Sequence, residues 1–122
     1  MLEPITGLAD GTIGFRTIGK VEADDYRNFL NPALDSVLEN HDQVNFVYVV
    51  SPDFDGYSLG ALWQDTKEIT RGFSVWNRVA FVSDVEWMNH VVPTAAHLIS
   101  GEVKVFSLSD EAAAIAWANG EV

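Results

Sequence analysis

The residues best able to do chemistry in this 122-residue chain stand where one apolar segment gives way to the next. Gly56-Tyr57-Ser58-Leu59-Gly60 satisfies the Gly-x-Ser-x-Gly spacing of a nucleophile elbow, and Asp84 and His90 follow in the chain order of an α/β-hydrolase. A triad can be written from them, with Ser58 attacking, His90 as base and Asp84 orienting it. The geometry opposes it. Asp84 and His90 are six residues apart on one element, which leaves little freedom to converge, and that hydrolase fold needs a much longer chain. Ser58 has a simpler role as a helix N-cap, worth about 1 kcal/mol.

Metal chemistry is no better supported. Asp53 and Asp55 end one strand, and Asp84 and Glu86 end the next. Carboxylates gathered at the carboxyl ends of parallel strands could hold Mg²⁺, yet Asp is favoured in turns and caps for local reasons. His90 and His97 are two helical turns apart, about 10.5 Å by helix rise, too far to share one ion. The chain has no cysteine. Gly56 and Gly60 lack the lysine that a P-loop requires. No catalytic residue, metal or cofactor is expected.

Charge narrows the partners. Eighteen acids against seven Lys and Arg give a net charge of −11, which argues against nucleic acid and against static attraction to an anionic membrane. The charge is uneven. Residues 21 to 42 carry six acids against Arg27, whereas Lys67, Arg71 and Arg78 make a relatively basic stretch able to meet an acidic headgroup. No apolar run approaches the roughly 20 residues that span a bilayer. Secretory and myristoylation signals are not found, and a cytoplasmic location is expected.

The elements that position these residues alternate. A short strand near Leu2 to Thr6 and another over Thr12 to Ile18 flank the turn "LADG". Tyr26, Phe29, Leu30, Ala33, Leu34, Val37 and Leu38 predict a helix over 22–41, with Pro32 kinking it. "VNFVYVVS" (44–51) and "RVAFVS" (78–83) are the near-continuous apolar runs of strands buried on both faces. A second helix is expected over 58–72, a third over 84–99, capped by Asp84 and interrupted by Pro93, and a fourth from Ser109 or Asp110 to about Asn119. "EVKVFS" (102–107) is the last strand. This order predicts one α/β domain over 1–122: a mostly parallel sheet of about five strands, the first antiparallel, with four main helices.

The second and third helices are richer in aromatic and large apolar residues than a small core requires. Tyr57, Leu59, Leu62, Trp63, Phe73, Trp76, Trp87, Met88 and Val91 form the surplus. Such a surplus implies a pocket, a dimer face or a membrane-facing patch. Gly56, Gly60, Gly72 and Pro93 punctuate the same helices as the hinges of a lid would.

"GALWQD", "RVAFVSDVEWMNH", "GEVKVFSLSDEAAAIAWA" and the opening "GLADGTIGFRTIGKV" resemble the SpoIIAA-like proteins, small bacterial relatives of STAS and CRAL-TRIO domains. The resemblance implies a βα superhelix over a mixed sheet and no established enzyme activity. CRAL-TRIO relatives bind apolar molecules beneath mobile helices. STAS relatives are phosphorylated regulators of protein partners, modified on the second serine of a loop similar to Asp-Ser-Ser-Gly-Leu-Gly. Here that loop reads Asp55-Gly56-Tyr57-Ser58-Leu59-Gly60. Tyr57 occupies the acceptor position, and Ser58 becomes a regulatory site only if the loop slips by one residue.

The first expectation is therefore a non-enzymatic domain that holds an apolar small molecule or lipid between helices 58–72 and 84–99, with transient membrane contact. The second is a STAS-like regulator that forms a homodimer or binds another protein.

Overall fold

The computed structural model describes residues 1–52, 75–95 and 101–120. Its strands are β1 (Leu2–Pro4), β2 (Thr12–Thr17), β3 (Val44–Val50), β4 (Trp76–Val82) and β5 (Glu102–Phe106). They form one sheet in the order β1-β2-β3-β4-β5. β1 runs antiparallel to β2, and every other pair is parallel, as the alternation predicts. β3 is the centre. All its residues except Asn45 are buried, which explains its unbroken Val, Phe and Tyr content. β5 is an edge and only half-buried.

The helices are α1 (Ala23–Asp25), α2 (Asn31–Leu38), α3 (Glu86–Ala95) and α4 (Glu111–Ala118). Strand order follows chain order, so right-handed crossovers that carry α2 and α3 leave both helices on the same face. Leu34 of α2 and Val92 of α3 pack accordingly with Phe15, Phe46 and Phe81. α4 follows β5 and lies on the opposite face, where Ala114 and Ala118 meet Val47, Val49, Ala80 and Val82.

The helical layer corrects several expectations. The helix expected over 22–41 is divided, with a π-helical turn, Tyr26–Leu30, between α1 and α2. Pro32 stands where the regular helix is interrupted: the π-helical turn lies directly before it, and α2 restarts at Asn31. The helix expected over 58–72 lies outside the described residues, as does the expected end of the third. Asp84 does not cap α3. Its Oδ1 accepts the Leu108 N–H at 3.0 Å, across the sheet's carboxyl end. Neither expected cap serves α4, because Leu108–Asp110 forms a 3₁₀ turn first and the Asp110 side chain makes no cap hydrogen bond. Instead Ser107 Oγ donates to Asp110 Oδ2 at 3.0 Å.

Gly101 fixes the entry to β5. A Cβ there would lie 2.3 Å from the carbonyl oxygens of both Trp76 and Asn77. Only a residue without a side chain lets this turn pass the start of β4.

Candidate functional site

Alternation along three parallel strands arranges side chains in rows on the α2–α3 face. The register sets Phe15 beside Tyr48, Tyr48 beside Phe81, and Phe81 beside Val105. One row toward the amino ends stand Ile13, Phe46, Val79 and Val103. One row toward the carboxyl ends, Thr17 stands beside Val50.

The aromatic members touch in sequence. Ring centroids are 6.4 Å apart for Phe15–Phe46, 5.7 Å for Phe46–Trp76 and 5.9 Å for Phe46–Tyr48. Tyr48 and Phe81 stack at 5.9 Å with planes 6° apart. Offset and tilted contacts of this kind add to the burial of each ring. Five rings from three strands thus make a continuous aromatic floor. All five belong to the core. Leu30 and Leu34 cover one flank, with Val85 and Val92 on the other.

A buried polar atom stands at each end of this face without a partner among the described residues. At the amino end the Trp76 indole is more than nine-tenths buried, and its Nε1–H has no acceptor there. At the carboxyl end, Asn89 of α3 donates from Nδ2 to the Ser83 carbonyl at 2.8 Å, while its buried Oδ1 meets no donor among the described residues. The other polar groups at this end are satisfied locally. Val85 N–H donates to Ser83 Oγ at 2.9 Å, Ser51 N–H donates to Thr17 Oγ1 at 3.2 Å, and the Ser51 hydroxyl donates to the Thr17 carbonyl. Buried polar groups are ordinarily paired; among the described residues four side-chain atoms are not, Thr12 Oγ1, Asn31 Oδ1, Trp76 Nε1 and Asn89 Oδ1, and the last two stand at the ends of the aromatic floor. An aromatic surface with a donor at one end and an acceptor at the other suits an elongated, mainly apolar molecule with polar ends.

The expected site residues fare unevenly. Trp76 lies on this face, but as the first residue of β4 and part of the core, not as the flank of a helix. Tyr57, Ser58, Leu59, Leu62, Trp63 and Phe73 lie outside the described residues. Trp87, Met88 and Val91 are on α3, and their side chains are likewise outside what is described. Arg78 corrects the expectation of a basic stretch beside the opening. It lies on the α4 face, its guanidinium 5.3 Å from the Trp117 ring centroid and donating to the Trp117 carbonyl at 2.7 Å.

The written triad and metal sets gain nothing among the described residues. Asp84 is engaged with Leu108, and His90 is exposed beside Glu86, Nε2 to Oε1 3.9 Å. No three His, Asp or Glu side chains there converge on a point that could hold a metal ion. No described helix is long and apolar enough to cross a membrane.

Sequence reasoning missed Phe15, Phe46, Tyr48 and Phe81 as site residues. The signal was present as period-two spacing, but a strand apolar on both faces does not reveal which residues share one. Asn89 carried no signal, since an isolated amide on a helix is ordinarily solvated.

No curated protein matches the chain significantly. Among solved structures, an uncharacterized protein with a SpoIIAA-like fold from Shewanella loihica PV-4 superposes with a TM-score of 0.73, at 24% identity over 97% of this chain and 92% of that one. The family model described as SpoIIAA-like matches residues 12–119, from the first residue of β2 to just beyond α4. Sheet order, helix placement and sequence match agree, and the chain belongs to the SpoIIAA-like family.

Proposed function

We propose that the protein is a non-catalytic binding domain for an elongated apolar molecule, such as a lipid or fatty acid, seated against the aromatic floor. The observation that carries this reading is the five-ring layer of Phe15, Phe46, Tyr48, Trp76 and Phe81 with an unpaired polar atom at each end. Because these rings are buried, a ligand reaches them only when part of the covering layer parts. That layer includes α3, which Pro93 deprives of one internal hydrogen bond. Helices 58–72 and 84–99 are the pair proposed to hold the ligand, and transient contact with a membrane would deliver it.

Mass spectrometry of an organic extract of the purified protein tests this directly. A stoichiometric lipid or fatty acid is expected. Titration with long-chain fatty acids should change tryptophan fluorescence and slow amide exchange in 86–95. An empty extract, with no response to any of several amphiphiles at high micromolar concentration, would reduce the floor to ordinary core. The alternative of a regulator with a protein partner draws on Tyr57 and Ser58, which lie outside the described residues.

A further inference from the structure

β5 closes one side of the sheet, and among the described residues nothing pairs with its outer edge. Such an edge offers backbone donors and acceptors to another strand. We propose that this edge pairs antiparallel with β5 of a second copy, about a two-fold axis through Val103.

The hydrogen-bond pattern decides which residues face outward. The Ser83 N–H donates to the Phe106 carbonyl at 2.9 Å, so Phe106 bonds toward β4. N–H and C=O of one strand residue point the same way, and neighbouring residues point oppositely. Glu102, Lys104 and Phe106 therefore bond inward, and Val103 and Val105 present free groups outward. In an antiparallel partner the outward residues form the hydrogen-bonded pairs. The inward ones form the non-hydrogen-bonded pairs, whose side chains approach most closely.

Charge then selects the register. With the axis at Val103, Glu102 of each copy stands opposite Lys104 of the other, giving two cross-strand ion pairs at close positions. Displacement by two pairing positions either way sets Glu102 against Glu102 or Lys104 against Lys104, and like charges directly opposite are unfavourable. The centred register is favoured over both. Glu102 and Lys104 are exposed, and neither has an ion-pair partner among the described residues. In a chain of net charge −11, an ammonium with no carboxylate partner among the described residues is conspicuous. Lys104 Nζ is steered by two rings, 5.4 Å from the Phe106 centroid and 5.9 Å from that of Trp117. It is thus positioned on the face where the opposing Glu102 would arrive. On the other face the two half-exposed Val103 side chains would meet and bury each other. This pairing is independent of what the aromatic floor binds.

Sedimentation velocity on the whole chain, from low to high micromolar concentration, tests the pairing. A monomer–dimer equilibrium is expected, with amides of Val103 and Val105 gaining protection as concentration rises. Lys104→Glu and Glu102→Lys should each weaken dimerisation by about tenfold or more, since each converts two attractive pairs to repulsive ones. The double exchange Glu102→Lys with Lys104→Glu should restore it. A monomer at every concentration, a dimer indifferent to both single reversals, or a double exchange that fails to restore pairing would each overturn the proposal. Circular dichroism of each variant separates loss of pairing from loss of fold.

Discussion

The two faces of the sheet are built from the same strands and solve opposite problems. The α2–α3 face carries large rings, and at its two ends the buried atoms Trp76 Nε1 and Asn89 Oδ1 lack partners among the described residues. The α4 face carries Val47, Val49, Ala80 and Val82 against Ala114 and Ala118. Two of its arginines are engaged at its margin. Arg16 pairs with Glu111 at 2.8 Å, and Arg78 bonds to the end of α4 while resting on Trp117. Small residues let α4 approach the sheet closely. The ring layer with an unpaired atom at each end supports the proposal that the other face is the one that exchanges part of its cover. On that proposal, binding belongs to one face and stability to the other.

The sharpest way to break the contrast is to empty the aromatic floor. Phe46 touches three other rings of the layer, and Phe46→Ala should lower unfolding free energy by about 4 kcal/mol in denaturant titration. A loss below about 1 kcal/mol would mean that the rings pack loosely enough to contribute little to stability. Overfilling the opposite face comes next. Ala118 is fully buried, and Ala118→Leu should destabilise by about 2 kcal/mol without altering the response to fatty acids. If ligand response changed while stability did not, the roles of the faces would be reversed.

Smaller effects refine the picture. Glu111→Gln removes the acid of a pair about a third exposed, so the expected cost is about 0.5 kcal/mol, and it should vanish in 1 M salt. Trp76→Phe keeps a ring while deleting the unpaired N–H. Stability should change by less than about 1 kcal/mol and in the favourable direction, because a buried donor without an acceptor is itself a cost. The same variant should weaken fatty acid binding about fivefold if the indole donates to the ligand. Unchanged affinity would mean that the indole donates nothing to the ligand.

The strand order, the central burial of β3 and the antiparallel first strand were legible because each depends on local pattern. A run of Val, Phe and Tyr with no polar alternation is stable only between two covered faces, and strands separated by helical spacing must cross over in parallel. Helix ends were less legible. Asp84 resembled a cap for the helix that follows it and serves Leu108 instead, twenty-four residues on. Caps read from spacing assume a partner nearby in the chain, and here the free N–H was nearby only in space.

The sequence by itself determined the fold class and family membership, since both reside in periodicity and in motifs that need no contact information. Tertiary structure alone decided the sides. It put Phe15, Phe46, Tyr48, Trp76 and Phe81 on one surface, sent Arg78 to the other, and turned the free groups of Val103 and Val105 outward. The physical reason is that strand alternation has a period of two and no label. A residue's neighbours along the chain say that it alternates, and only its register against the next strand says with whom it shares a face.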